Sequence, residues 1–299
     1  MKWTPGRRSA NLEDRRGASP GGGGMGGGGF GFGSGGGGGI GGGKLGLGGV
    51  VILVVLSLVF KQDFLGVTGG GGGPVSSAEQ AAAPVNDPDE EPMVQFVSVV
   101  LDETQAFWQQ AFAAEGGQYR DARLVLFRDQ TPTACGEGEA ATGPFYCPGD
   151  QKVYLDLAFF DELRQRFKAP GDFAQAYVIA HELGHHVQNL SGTSEQVHRA
   201  QLRAGREQAN ALSVRLELQA DCYAGVWAAS AARKGELDPG DTEEGLAAAA
   251  AVGDDRLQRM STGRVSPESW THGSSAQRTE WFSRGFRGGA RSACDTFGS

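Results

Sequence analysis

The chain has 299 residues, 50 of them glycine, and a formal net charge of −8. Of those glycines 29 fall within residues 1–73, which leaves from about Met93 onward a stretch of ordinary globular composition, long enough for one substantial core. That stretch carries 20 Lys and Arg against 27 Asp and Glu, with no basic run or aromatic-interleaved patch, so nucleic acid is set aside as a partner.

Residues 1–43 read as a disordered, glycine-rich cytoplasmic tail. Over residues 17–43 only Met25, Phe30, Phe32 and Ile40 are sizeable, too little apolar surface to drive folding. Lys2, Arg7, Arg8, Arg15, Arg16 and Lys44 against Glu13 and Asp14 leave residues 1–44 at +4. Leu45 to Phe60 is then apolar or glycine except for Ser57, and Lys61 follows. As a helix this run is about 24 Å long, short of the roughly 30 Å hydrocarbon core, so the flanks must help and the expected span is 44–65. Basic residues before the span place the N-terminus in the cytoplasm and the rest outside. An uncleaved anchor is preferred to a cleaved signal peptide, because the n-region is long and no small-x-small site follows directly. It is also preferred to a buried core helix. Residues 66–92, with Gly69 to Gly73 and Pro74, Pro84, Pro88 and Pro92 among acids, read as a linker.

The folded domain, residues 93–299, is expected to open with a helix from about Val94 to Ala114, where Phe96, Val100, Phe107, Ala111 and Ala114 trace one face. Strands are expected at Arg123 to Phe127 and at Gln151 to Leu157, the latter from alternation of Val153, Leu155 and Leu157 with polar neighbours. A short helix over Phe159 to Phe167 follows. Asp172 with Gln175, after Pro170-Gly171, resembles a capping box opening the next helix, whose buried stripe is Phe173, Tyr177, Ala180, Gly184 and Val187. Helical sequence resumes at Thr193 and Ser194, broken near Gly205, and runs to about Lys234. Asp241 with Glu244 starts another helix, and Ser274 with Gln277 opens the last.

On the helix after Asp172 stands His181-Glu182-Leu183-Gly184-His185. Two imidazoles four positions apart are about 400° apart in rotation, so they share one face a turn apart and suit a zinc ion. Glu182 is the candidate general base toward the water that such an ion activates. His186 lies about 140° round the helix from His181 and is expected to be structural. A third ligand is required. Gln188 and Ser191 occupy the positions where one arrangement needs glycine and histidine, so that arrangement is excluded. The other takes a glutamate from a later helix with an aspartate four residues on. Glu217 and Asp221 fit it, Glu217 as ligand and Asp221 fixing the tautomer of a ligand imidazole.

With these motifs the chain resembles the bacterial membrane-anchored neutral zinc metallopeptidases. The resemblance rests on His181 through Gln188, Glu217 through Gly225, and Thr271 through Arg278, together with the tail, single span and domain of about 200 residues. It implies a zincin-like fold and a peptidase, hence a peptide or protein substrate; together with the elements, motifs and apolar run above, the expectation is an α+β domain, mostly helical with a small sheet, holding one catalytic zinc ion at the inner membrane with the catalytic domain extracytoplasmic. It implies no particular substrate. His272 is the candidate donor to the oxyanion, Arg278 and Tyr223 are weaker candidates whose alternative is to pack or pair locally, and His198 is expected at the surface. Cys135, Cys147, Cys222 and Cys294, an even number on the expected outer side, favour disulfides. Three pairings are possible. The preferred one closes a Gly/Pro-rich loop with Cys135–Cys147 and ties the C-terminal tail to the Glu217 helix with Cys222–Cys294. The rival to a peptidase is a tethered, non-catalytic scaffold that keeps zinc structurally; a metal hydrolase of non-peptide bonds would share the same site.

Overall fold

A computed structural model describes residues 1–18, 85 and 87–298. The expected span at 44–65, most of the tail and most of the linker lie outside the described residues. Among the described residues no helix is long and apolar enough to cross a membrane.

The sheet is built from β1 (Leu12–Asp14), β2 (Arg123–Leu126), β6 (Lys152–Leu155) and β5 (Phe145–Cys147), in the order β1-β2-β6-β5. The first three are parallel and β5 runs antiparallel to β6. Leu124, Val125 and Leu126 are all fully buried, as expected of an inner parallel strand covered on both faces. The alternation read for Gln151 to Leu157 is therefore only partial. Val153 and Leu155 face the main core, while Tyr154 joins Val125, Phe127 and Cys147 in a second apolar cluster on the other side. A two-stranded hairpin, β3 (Gln130–Thr133) with β4 (Gly136–Glu139), was not expected from the sequence. The Cys135–Cys147 disulfide joins its turn to β5.

Eight α-helices are described. They are α1 (Glu91–Ala114), α2 (Ala158–Gln165), α3 (Asp172–Leu190), α4 (Thr193–Gln201), α5 (Arg206–Lys234), α6 (Asp241–Ala251), α7 (Asp254–Thr262) and α8 (Ser275–Gly288). α1 begins at Glu91, inside the expected linker, because Pro92 sits in the first turn, where its missing N–H costs nothing. The break near Gly205 separates α4 from α5, and Ser274 caps α8 in a full capping box with Gln277. Asp172 does not cap α3; its N-cap is Gly171 at φ 122°. Glu244 of α6 instead accepts from the Phe173 amide at 3.2 Å, and Asp172 pairs with the Met1 ammonium at 2.6 Å.

Residues 1–18 depart from the expected tail. They fold onto the domain, with β1 paired to β2 and Trp3 packed edge-on against Phe96 at 5.3 Å. Arg8 bonds Asp14 at 2.9 Å and also Glu91, and Arg16 bonds Asp14 at 2.7 Å and Glu90 at 2.5 Å. The glycine composition that argued for disorder starts only at residue 17, and the arginines before it have carboxylate partners on α1.

The small residues on α3, α5 and α8 let helix backbones touch. A Cβ on Gly184 would lie 3.0 Å from the Ala220 carbonyl oxygen, and one on Gly285 would lie 1.9 Å from that of Cys222. Gly285→Ala is therefore expected to force α8 off α5 and to cost about 1–3 kcal/mol or more. A fall in the urea midpoint at unchanged slope checks it.

Candidate metal centre

α3 and α5 face each other with Gly184 against Ala220, and this close approach brings Glu217 over the two histidines one turn apart on α3. Ligand atoms of His181, His185 and Glu217 all lie within 4.8 Å of one another. Glu217 reaches His181 Nε2 at 3.2 Å with Oε2 and His185 Nε2 at 3.4 Å with Oε1. Both remaining ring nitrogens are held from behind. Asp221 Oδ1 sits 2.9 Å from His181 Nδ1, and Gln188 Oε1 sits 2.9 Å from His185 Nδ1. Each acceptor selects the tautomer with hydrogen on Nδ1, which leaves the Nε2 lone pairs directed at the Glu217 carboxylate. Gln188 is itself fixed, donating to the Leu216 carbonyl at 2.6 Å.

The donor set fits a divalent cation. Three carboxylates, Glu182, Glu217 and Asp221, face one guanidinium, Arg278, so with all four ionised the cage carries two uncompensated negative charges. Burial acts to lower the His181 imidazole, but Asp221 and Glu217 outweigh it and carry the group up to about 10. Burial acts to raise Glu217, yet the His185 and His181 rings hold it well below the ordinary carboxylate range. The carboxylates that favour a proton on His181 would equally favour a metal in its place. Burial, aided by the Glu217 charge, raises Glu182 against the pull of the two imidazoles, and its side chain is largely withdrawn from solvent.

Arg278 pairs locally, the alternative to an oxyanion role. It is buried, with Nε 2.8 Å from Asp221 Oδ2 and Nη2 2.9 Å from Oδ1, a bidentate pair that fixes the carboxylate behind His181. Tyr177, one turn before His181 on α3, also donates to Asp221. Tyr223 stands elsewhere, packed edge-on against Trp108 at 5.3 Å beside the Cys222–Cys294 disulfide. His186 points away from the cage as expected, bonded to Tyr146 at 2.9 Å and the Arg120 carbonyl at 2.6 Å, and His198 is exposed on α4. The two disulfides are those of the preferred pairing.

His272 lies close enough to the cage for its charge to act on Glu217 and for Glu217 to act on it. The residue that places it is Asp254, at the start of α7, which the sequence reading missed. Asp254 Oδ2 accepts from the backbone amides of Thr271, His272 and Gly273 at 2.8, 2.6 and 2.9 Å, and Oδ1 meets His272 Nδ1 at 3.2 Å. Gly273, at φ 89°, turns the chain out of this clamp toward Ser274 and α8. Burial acts to lower the His272 imidazole but the Asp254 partner raises it; with 37 % of the side chain exposed, solvent moderates both effects.

The sequence profile of the family described as "Putative neutral zinc metallopeptidase" matches residues 1–297. Uncharacterized protein YpfJ of Escherichia coli K12 is 47 % identical over 298 residues, covering 100 % of this chain and 99 % of that protein. Uncharacterized protein Rv2575 of Mycobacterium tuberculosis H37Rv is 48 % identical over 190 residues, 60 % of this chain and 63 % of the other. No solved structure matches the chain. The profile match runs through the histidine pair, the Glu217 helix and the His272 loop alike, and the chain belongs to this zinc metallopeptidase family.

Proposed function

We propose that the protein is a zinc-dependent peptidase with a zincin-like site, held at a membrane by its apolar run. The observation that carries this reading is the convergence of His181 Nε2, His185 Nε2 and the Glu217 carboxylate, with Glu182 next to the first of them. Three protein ligands suit a catalytic ion, which keeps a position for water or substrate; a structural ion usually takes four. That favours the peptidase over a zinc-stabilised scaffold. The bound ion supplies Lewis acidity toward the scissile carbonyl and makes a water acidic enough to react near neutral pH.

The chain's own groups do the rest. Glu182, whose carboxyl burial raises, takes the proton of the attacking water and returns it to the departing amine. Asp221 and Gln188 keep the two imidazoles in the ligating tautomer. His272, steadied by Asp254, donates to the oxyanion as charge develops on it. His272→Ala is therefore expected to lower kcat about 10²–10³-fold with metal content unchanged, the usual cost of one such donor. Asp254→Ala, which releases the loop, should reproduce most of that loss. Wild-type turnover by the His272 variant would reduce the residue to a loop contact.

The experiment for the whole reading is metal analysis of the full chain in detergent beside turnover of unfolded casein. Stoichiometric zinc, with hydrolysis blocked by a chelator and restored by zinc, is the expected result. Bound zinc without chelator-sensitive turnover of casein or a mixed peptide library would leave the scaffold.

A further inference from the structure

Between the described residues 1–18 and the domain, the sequence offers one long apolar run, Leu45 to Phe60. β1 is nevertheless a strand of the domain's own sheet. Leu12, Glu13 and Asp14 register with Leu124, Val125 and Leu126; the Leu124 amide donates to the Asn11 carbonyl at 2.9 Å, and the Arg15 amide to the Leu126 carbonyl at 2.7 Å. A chain that traverses a bilayer once leaves its two flanks on opposite faces, while strands that share a hydrogen-bonded ladder must be on one face. One run supplies at most one traverse. The β1–β2 ladder and a single-pass topology therefore exclude each other, and they would do so equally if β1 came from a second copy oriented the same way.

We infer that residues 1–18 and residues 87–298 lie on the same side of the membrane, so that no single traverse separates them. This replaces the cytoplasmic N-terminus and outward-facing domain expected from charge, and it does not depend on whether the site cleaves peptides. Three observations support it beyond the ladder. The run is short for a crossing, at about 24 Å against roughly 30 Å. Lys44 and Lys61 bracket it, so its immediate flanks are alike in charge.

The third is the state of the arginines that argued for a cytoplasmic tail. Arg8 and Arg16 bond Asp14, Glu90 and Glu91, and Arg15 bonds Glu13 at 2.5 Å. Arg16 is only 5 % exposed. Their partners Glu90 and Glu91 stand at the start of α1, so these arginines sit against the domain itself. Pulling the segment away would uncover the β2 edge and leave Glu90 and Glu91 without these partners.

Cysteine labelling of the full chain in spheroplasts tests the inference. All four native cysteines are paired, so an added thiol is the reactive one. Ala18→Cys and Thr4→Cys report on the N-terminal segment and Arg203→Cys on the domain; all three positions are exposed. A membrane-impermeant maleimide is expected to treat the three alike, either all labelled before lysis or all shielded until lysis. Labelling of Arg203→Cys before lysis, with Ala18→Cys and Thr4→Cys shielded until lysis, would establish a single traverse and overturn the inference.

Discussion

Glu182→Gln is expected to retain zinc at the wild-type ratio and to lose about 10²–10⁴-fold in hydrolytic rate, the usual contribution of a positioned general base. The amide keeps the size of the carboxylate, so the packing of α3 against α5 is preserved, but it cannot accept the proton. The pH dependence separates this role from simple charge loss. Burial above all, aided by Glu217 against the two imidazoles, raises the Glu182 carboxyl from its ordinary value. The group is a competent base only when ionised, so wild-type kcat/KM should fall on the acid side as its carboxyl takes up a proton. The residual activity of the variant should lack this limb. A variant that cleaves casein at the wild-type rate with zinc bound would remove Glu182 from the base role, while leaving the ligand set untouched.

How far the site could be read from sequence depends on how each residue is placed. His181, Glu182 and His185 are set by one helix, and Glu217 and Asp221 by another, so spacing alone defines their faces. Gly184 and Ala220 are small, and there the backbones of the two helices meet. Tyr177 and Gln188 carried a usable signal, standing one turn before His181 and three residues after His185. Asp254 carried none. It lies 18 residues from His272 and reaches it only because the end of one loop folds onto the start of α7. The strands were legible where they are buried on both faces. β5, aromatic but only three residues long, and the short, polar β3–β4 hairpin gave no periodicity to read. β1 was hidden for a different reason: its partners β2 and α1 lie beyond the apolar run, and composition describes a segment's own tendency to fold, not what it can dock against.

The second large effect is expected at the third ligand. Glu217→Ala should reduce bound zinc to background and abolish turnover, because two imidazoles alone leave the ion without its anionic ligand and the cage with less negative charge to attract it. Asp221→Asn makes an instructive contrast. Asp221 touches no metal position; it orients His181 and accepts both arms of Arg278. Loss of the orienting carboxylate is expected to weaken zinc affinity about 10–100-fold, not to abolish it. The same substitution leaves a buried guanidinium without its counter-charge, which typically costs about 3–5 kcal/mol of stability. Glu217→Ala removes a carboxylate that lies 4.0 Å from Arg278 and leaves Arg278 its Asp221 partner, so, although its contacts with the two imidazoles are lost, its metal-free form should be destabilised less than that of Asp221→Asn. Zinc titration beside urea denaturation of the apo proteins distinguishes the two. If Glu217→Ala bound zinc as tightly as wild type, the ligand would have to be another residue; if Asp221→Asn lost neither affinity nor stability, the Arg278–Asp221–His181 chain would not be what orients the site.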